Sequence, residues 1–326
     1  VGGTGAPLRR TLSRGASRDR AASALLSGGV AGCVAKTLTA PLARLTVLAQ
    51  TSSLLAETAA AASPRAVPLA AGPRQVSAVT AAAAPPPHAP GSIVGGLRDI
   101  VSREGVLALW KGNALTCLHR FPYTGINFLV VESCWRHLPK TCSSPPCGPL
   151  LPGALAGCAA VVACYPLEVV RTRCMADRGS PQRLAANLRR MLQQESLIGM
   201  YRGVDMALLV TVPSVSISFG VYRLLCDRLS ELPPSAAAFL SGGAAGVAGS
   251  TLTYPMDVVR RRLQVMGMNP DLPKRCCRRE ATHIWRTEGP PGFFRGLAPE
   301  VVKVFPTVAV TFMTFEWLRA HLLTGR

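Results

Sequence analysis

The sequence predicts an all-α membrane protein with six transmembrane helices in three repeats. Two observations support the membrane prediction: 48% of the 326 residues are hydrophobic, and only 16% are charged. Soluble domains contain about 25% charged residues, so much of this surface is expected to face lipid. A third observation, a pattern of glycine, proline and aromatic residues that occurs three times along the chain, predicts the repeats.

Runs with few or no charges mark the predicted spans. Residues 21–43 contain one charged side chain, Lys36, and the runs that contain none are 121–131, 150–167, 206–222, 232–256 and 304–315. Several approach the ~20 residues that a helix needs to cross a bilayer. The shorter runs reach that length if the flanking charged residues face an internal cavity rather than lipid.

Positive charges exceed negative ones, with 36 Lys and Arg against 17 Asp and Glu. Such an excess suits nucleic acid, anionic lipid or a polyanionic substrate. The cations are spread between the apolar runs, which favours lipid and substrate over nucleic acid. They concentrate after spans 1, 3 and 5, in segments 65–103, 171–202 and 260–295. The distribution of positive charge therefore places these segments on one, matrix-like side and both termini on the other.

The remaining composition predicts no metal site, cofactor or enzyme active site. Residues 1–20 are rich in Arg and Ser and are interpreted as a disordered or targeting tail. The eleven cysteines are scattered and form neither a disulfide framework nor a C-x-x-C metal pair. No nucleophile and base occur in a recognisable catalytic pattern.

Each repeat is predicted to be a pair of helices joined by a polar segment. The first helix begins with two glycines four residues apart, which permit close helix contact in lipid, and then bends at a proline. The polar segment ends in an aromatic residue, a cation and a glycine, and the second helix has a proline ten residues further on. The glycine pairs are Gly28 and Gly32, Gly153 and Gly157, and Gly242 and Gly246; the first prolines are Pro41, Pro166 and Pro255; the tripeptides are Trp110-Lys111-Gly112, Tyr201-Arg202-Gly203 and Phe294-Arg295-Gly296; the second prolines are Pro122, Pro213 and Pro306.

The three repeats are predicted to span residues 21–137, 149–229 and 236–323. From the first proline to the tripeptide, the first repeat has 69 residues, against 35 and 39 in the others. The surplus lies in an Ala/Pro-rich tract at about 51–91, whose composition predicts a disordered insertion.

These motifs resemble those of the mitochondrial carrier family. "YPLEVVRTR" and "YPMDVVRRRLQ" match the pattern P-x-[DE]-x-x-[KR], and "EGVLALWKG" and "EGPPGFFRG" match [DE]-G-x4-[WYF]-[KR]-G, from which "ESLIGMYRG" departs at Ser196. The resemblance covers about residues 21–323. It implies a monomeric six-helix bundle with pseudo-threefold symmetry, short matrix-side amphipathic helices, alternating access, and termini that face the intermembrane space. It also implies that the three tripeptides, which begin short helices, bind cardiolipin phosphates.

The resemblance implies a matrix gate in which the acid of one repeat pairs with the base of the next. Glu168 and Arg260 supply one such pair. Asp257 would face Thr46 and Arg171 would face Ala43, so two of three bridges are lost in the first repeat. Because a solvent-reachable ion pair contributes only about 0.2–1 kcal/mol, closure is expected to be weakened rather than abolished. The alternative is that these charges only solvate helix ends.

Two further sets of gate residues follow from the resemblance. Gln50 and Gln264 occupy positions that brace the matrix gate, whereas the second repeat has Met175 there. A cytoplasmic gate is implied by [FY]-[DE]-x-x-[KR], which is complete in repeat 3 and altered in the others. Its positions hold Glu316 and Arg319 in repeat 3, Glu132 and Trp135 in repeat 1, and Arg223 and Cys226 in repeat 2. Arg223 is expected to pair with Glu132 or Glu316.

Ionisable residues within the spans are the candidate substrate ligands, because burying them is costly unless they face a cavity. Lys36 lies deep in span 1, and "AKTLTAP" resembles the S-K-T-x-x-A-P of nucleotide-type carriers. The family's contact positions on the even helices imply a cationic pocket with a small apolar wall, and Arg44 is expected near its floor. The implied ligands are Lys36, Arg44, His119, Arg120, Val210, Thr211 and Lys303. Snorkelling of Arg120 and Lys303 to headgroups, and a structural hydrogen bond for His119, remain alternatives.

A cationic pocket of this kind suits phosphate groups, which lysine binds as a point charge and arginine as a fork. Together with this pocket, the resemblance implies an inner-mitochondrial-membrane antiporter for an adenine nucleotide or a coenzyme A type substrate. Thiamine pyrophosphate or another phosphate ester is the first alternative. A degenerate carrier that does not exchange solutes is the second, because both gates lack charges. A peroxisomal or plastid membrane is not excluded by the sequence.

Overall fold

The computed structural model describes residues 28–62, 92–137, 150–177, 197–268 and 275–324. Those ranges contain helices and turns and no strand, which confirms the all-α prediction for this part of the chain. The predicted tail at 1–20 and residues 63–91 of the Ala/Pro-rich tract lie outside the described residues.

The described helices follow the predicted order. The long ones are α1 (28–38), α2 (Ala40–Ala62), α4 (Asn113–His137), α5 (Leu150–Ala176), α7 (Val204–Arg228), α8 (Pro234–Met266) and α10 (Leu297–Thr324). The short ones are α3 (Ile93–Glu104), α6 (Leu197–Met200) and α9 (Cys277–Glu288), with 3-10 turns at Val106–Trp110 and Pro290–Phe294. Helix α2 includes the first part of the tract predicted to be a disordered insertion, because its alanines favour helix and its Leu54 is buried in the core.

The long helices close a ring. Helix α4 packs on α5, α7 on α8, and α10 on α2, while α5 contacts α7 and α8 contacts α10. Helices α2, α5 and α8 also contact one another in all three combinations, so the first helices of the repeats form an inner triangle. A core that includes Val47, Met175, Val258 and Leu263 draws on all three of these helices and seals this end of the ring, called below the closed end.

Glycines allow the helices of one repeat to approach closely, as the sequence predicts. A Cβ on Gly32 would lie 2.8 Å from Arg120 on α4. The equivalent Cβ on Gly157 would lie 3.0 Å from Thr211, and that on Gly246 would lie 3.0 Å from Val304. The second glycine of each pair is therefore a contact point between the two helices of its repeat, which confirms the role predicted for it.

Pro41 interrupts the first helix, and the Trp110 side chain supplies the hydrogen-bond donor that the helix loses there. Proline has no amide hydrogen, so the carbonyl of Thr37, four residues earlier, loses its helical donor. The structure has a turn at Thr39 between α1 and α2, and the Trp110 Nε1 donates to the Thr37 oxygen at 2.9 Å. The aromatic residue of the first tripeptide thus satisfies the backbone at the bend.

Three stretches in the described residues are long and apolar enough to cross a membrane by length and composition: Leu151–Ala176, Val204–Arg228 and Pro290–Thr314. The other long helices carry charged side chains that point into the protein, such as Arg44 on α2 and Arg262 on α8, which are at most 1% exposed. Hydropathy counts these charges as if they faced outward. On the outside of the ring, large apolar side chains such as Leu129, Leu224 and Met313 are 60–71% exposed.

Candidate functional site

A cavity of about 210 Å³ lies above the closed end and is bounded by all three repeats. Its lining contains four cationic and two acidic side chains, a net charge of +2. The cations are Lys36, Arg171, Arg261 and Lys303, and the acids are Asp257 and Glu300. Asn113 and Thr116 add polar groups from α4. The site is therefore an enclosed chamber with an excess of positive charge.

Lys36 and Lys303 both reach this chamber, as the resemblance implies. Lys303 pairs with Glu300, one helical turn away on α10, at 2.5 Å. The sequence analysis missed Glu300, although its spacing of three residues from Lys303 is a recognisable ion-pair signal on a helix. The acid partly neutralises the positive charge that Lys303 brings to the cavity.

A second cavity of about 320 Å³ shares Arg171, Asp257 and Arg261 with the first. Its lining includes His119, Val210 and Thr211, three of the residues implied as substrate ligands. The His119 ring stacks on Tyr123 with centroids 5.4 Å apart, and Thr211 Oγ1 donates to the carbonyl of Ala207 on its own helix at 2.7 Å. The cations of the first cavity and a small aromatic and apolar wall thus meet across the shared residues.

Two implied ligands lie elsewhere. Arg120 packs against Gly32 at the contact between α1 and α4, and its Nε is buried without a hydrogen-bond partner. Arg44 is fully buried, and it donates to Glu104 Oε2 at 2.6 Å and to the carbonyl of Ala108 at 2.5 Å. The expectation that Arg44 lies on the cavity floor is wrong, because these bonds turn its guanidinium away from the chamber.

Arg44 instead belongs to a set of three buried arginines, called here the arginine belt. In each arginine, Nε donates to a backbone carbonyl of the following repeat, with repeat 1 following repeat 3. The accepting residue lies nine positions after the first proline of that repeat. The donors and acceptors are Arg44 and Met175 at 3.4 Å, Arg173 and Gln264 at 2.7 Å, and Arg262 and Gln50 at 3.1 Å. Arg262 also binds both carboxylate oxygens of Glu288, at 2.6 and 3.0 Å. The belt ties the three repeats together around the closed end.

The closed end contains the one ion pair that the sequence predicts between repeats. Arg260 on α8 binds Glu168 on α5, and Gln264 Nε2 donates to the same carboxylate at 3.4 Å. The Glu168 and Arg260 side chains are only 7% and 11% exposed. The pair is buried rather than solvent-reachable, so its loss is expected to cost more than the 0.2–1 kcal/mol expected for exposed pairs.

The other two bridges of the implied matrix gate cannot form, because repeat 1 has no charged residue at either gate position. Thr46 turns its hydroxyl to the carbonyl of Leu42 at 3.0 Å, and Ala43 lines the cavity. Asp257 lies 3.6 Å from Arg260 on its own helix. Arg171 makes no hydrogen bond or ion pair with another described residue, and its Nε is buried without a partner.

The opposite end of the ring has no charged pair between helices among the described side chains. Glu132 binds Arg136 on its own helix, and Arg223 lies over the Phe219 ring of its own helix at 5.7 Å. Arg223 therefore does not pair with Glu132, the first of its two expected partners. The side chains of Glu316 and Arg319 lie outside the described residues.

The expectation that the tripeptides begin short helices is wrong, because the long second helices start directly after the three tripeptide glycines. Gly112, Gly203 and Gly296 have φ of +83°, +81° and +84°, a region that other residues adopt only with strain. A Cβ on Gly296 would lie 2.9 Å from the Tyr254 hydroxyl, which donates to the Arg295 carbonyl at 2.8 Å. The spacing signalled these glycines; their tight packing was visible only in the structure.

Two of the three tripeptide cations, Lys111 and Arg295, have protein partners. Lys111 Nζ donates to the Asp177 carbonyl at 2.9 Å, and Arg295 lies 2.9 Å from Glu288. Trp110 and Phe294 are 38% and 46% exposed. These contacts leave the aromatic rings at the surface and draw the charges towards the neighbouring backbone and acid.

A ring of long helices around a charged chamber, sealed at one end by buried contacts, is the architecture of an α-helical solute transporter. The chain belongs to the mitochondrial carrier family: the family model described as "Mitochondrial carrier protein" matches residues 17–141, 143–233 and 230–326. Proteins of this family are transporters rather than enzymes.

Named relatives cover most of the chain. "Mitochondrial substrate carrier family protein P" of Dictyostelium discoideum is 31% identical over 90% of this chain and 92% of its own length. "Mitochondrial adenyl nucleotide antiporter SLC25A25" of Homo sapiens is 28% identical over 91% of this chain and 59% of its own. "Mitochondrial thiamine diphosphate carrier 1" of Arabidopsis thaliana is 32% identical over 69% of this chain and 78% of its own. The relatives are thus named as mitochondrial carriers, and the substrates in their names differ from one relative to another.

Proposed function

We propose that this chain is a monomeric, six-span antiporter of the inner mitochondrial membrane that exchanges an adenine nucleotide or a coenzyme A type substrate. The observation that carries the proposal is the enclosed chamber with four cationic and two acidic side chains. An excess of cations in a low-dielectric chamber is favourable only when an anion enters it. The human relative named as an adenyl nucleotide antiporter supports the adenine part.

The chamber's residues divide the recognition of such a substrate. Lys36 and Lys303 would hold phosphate oxygens, because both ammonium groups line the first cavity. His119, Val210 and Thr211 would contact the base, because they line the adjoining cavity. Arg120, behind Gly32, would contribute only if its side chain leaves the helix contact.

Transport would proceed by alternating access. In the structure the closed end, which the charge distribution assigns to the matrix, is held by the Glu168–Arg260 pair and the arginine belt. Substrate binding would supply the free energy that separates Glu168 from Arg260, because a ligand shifts a conformational equilibrium by its differential affinity for the two states. Cardiolipin at the tripeptides would brace this movement from outside.

Counter-exchange in liposomes tests the proposal. The purified protein is reconstituted with unlabelled anion inside, and uptake of labelled ADP, ATP or coenzyme A is measured outside. Saturable exchange of one of them, lost in Lys36→Ala and Lys303→Ala, is the expected result. Exchange that persists in both variants would remove the two lysines from the site. Absence of exchange would favour a degenerate carrier.

Thiamine diphosphate is the second candidate, and a specific observation favours it. Asp257 and Glu300 place carboxylates in a chamber that also holds cations, which suits a ligand with a positively charged ring and a diphosphate. The Arabidopsis relative is named as a carrier of this compound. Exchange of labelled thiamine diphosphate without exchange of ADP or coenzyme A would select this candidate.

A further inference from the structure

Arg171 shares with Lys36 a feature that the other four charged residues of the chamber do not have, the lack of a hydrogen bond or ion pair with a described residue. It lines both cavities, yet no hydrogen bond or ion pair joins its guanidinium to another described residue, and its Nε is buried without a partner. Arg260, which holds the equivalent position in the next repeat, binds Glu168. The difference arises from one residue, because the position that would oppose Arg171 is Ala43, which also lines the first cavity.

The neighbouring acids are already engaged. Glu168 binds Arg260 and lies 3.9 Å from Arg261. Glu300 pairs with Lys303 at 2.5 Å, and Asp257 lies 3.6 Å from Arg260. Each described acid of the chamber therefore lies closer to another cation, and Glu168 and Glu300 interact with Arg171 only as more distant charges. A buried cation without a partner is destabilising, and this cost favours an anion from outside the protein.

We propose that Arg171 is a substrate-binding residue rather than a gate residue, and that it donates its planar fork to a phosphate of the transported anion. This inference rests on the function proposed above and adds a determinant of specificity to it. Arginine suits the role because its donors match two phosphate oxygens at once. Because position 43 holds alanine rather than an acid, one gate bridge is missing and Arg171, between the two cavities, is available to bind phosphate.

The placement has a consequence for selectivity. Arg171 lies where the cavity of Lys36 and Lys303 meets the cavity of His119 and Thr211, so it is positioned beside the link between phosphates and base. Substrates with more phosphate charge should benefit more from it. Removal of Arg171 should therefore weaken ADP more than AMP and reduce the discrimination between them.

Supplying an internal acid tests the idea without removing the arginine. In Ala43→Asp the new carboxylate should pair with Arg171 and compete with the substrate, whereas Ala43→Asn adds similar volume without charge. Labelled ADP and AMP exchange are measured in liposomes for both variants, for Arg171→Ala and Arg171→Lys, and for the double variant Ala43→Asp with Arg171→Ala. Thermal unfolding of each purified variant is measured in parallel.

The expected result is an ADP KM raised about 10- to 100-fold in Ala43→Asp and in Arg171→Ala, with smaller changes for AMP. Ala43→Asn should keep the parent KM, and Arg171→Lys should lie between the parent and Arg171→Ala. Ala43→Asp should also unfold at a higher temperature than Ala43→Asn, and that gain should vanish when Arg171 is absent.

The outcomes separate the two proposals. If the parent exchanges none of ADP, AMP, coenzyme A and thiamine diphosphate, the proposed function fails and the inference falls with it. If the parent exchanges ADP and its KM is unchanged in Ala43→Asp and Arg171→Ala, the inference alone is overturned. If Arg171→Ala does not fold, the comparison of Ala43→Asp with Ala43→Asn still decides.

Discussion

Glu168→Gln probes the shortest ion pair between repeats in the described structure, the pair of Glu168 and Arg260 at the closed end. The substitution keeps the side-chain volume and leaves Arg260 with Asp257 at 3.6 Å as its remaining acid. Breaking a buried pair costs about 3–5 kcal/mol, and the retained acid and amide reduce this to about 2 kcal/mol here. The ratio of protein closed at this end to protein open at this end should therefore fall about 25-fold, since 1.4 kcal/mol corresponds to a factor of ten.

The assay compares Glu168→Gln with Asp257→Asn, because both remove one carboxylate near Arg260. Asp257 lies on the same helix as Arg260, so its loss does not separate two repeats. Glu168→Gln should lower the melting temperature of the detergent-solubilised protein by several degrees, and Asp257→Asn should lower it much less. Equal shifts in the two variants would refute the view that the Glu168–Arg260 pair holds the closed end together.

Three further predictions concern the segment that joins α8 to α10. Gly296→Ala should destabilise the protein by about 1–3 kcal/mol in denaturation, because φ is +84° and the space is filled, whereas Gly125→Ala, in open space on α4, should not. Glu288→Gln should lower the free energy of unfolding by about 3 kcal/mol at pH 7. Burial alone would raise the pKa of Glu288, but Arg262 outweighs burial and holds this pKa below its usual value. The stabilisation from the Glu288 carboxylate should therefore fade as pH falls through the lowered pKa. Burial and a hydrogen bond to a carboxylate on α7 raise the pKa of the Cys277 thiol to about 12, so iodoacetamide at pH 8 should modify exposed Cys276 first by mass spectrometry.

The prolines and glycines that recur in each repeat made the architecture predictable. A proline without an amide hydrogen must bend a helix, and a residue with φ near +80° is almost always glycine, so Pro41 and Gly112 signal backbone geometry directly. Three copies of the same signals then identify the repeats. The candidate ligands Lys36 and Lys303 were also recognisable, because a charged residue inside an apolar helix needs a polar environment.

Side-chain partners depend on contacts between residues distant in sequence, and local patterns do not encode them. Arg44 and Lys36 are both expected from the sequence to be cavity cations, yet one binds Glu104 and the other faces the chamber. The hydropathy of α2 and α8 understates their apolar outer faces for the same reason. The sequence by itself determined the helices, the bends and the threefold order, because these follow from local backbone chemistry. Only the tertiary structure decided which charges form ion pairs and which, like Arg171, form none with a described residue, because an ion pair requires atoms brought within a few ångströms by the closed ring.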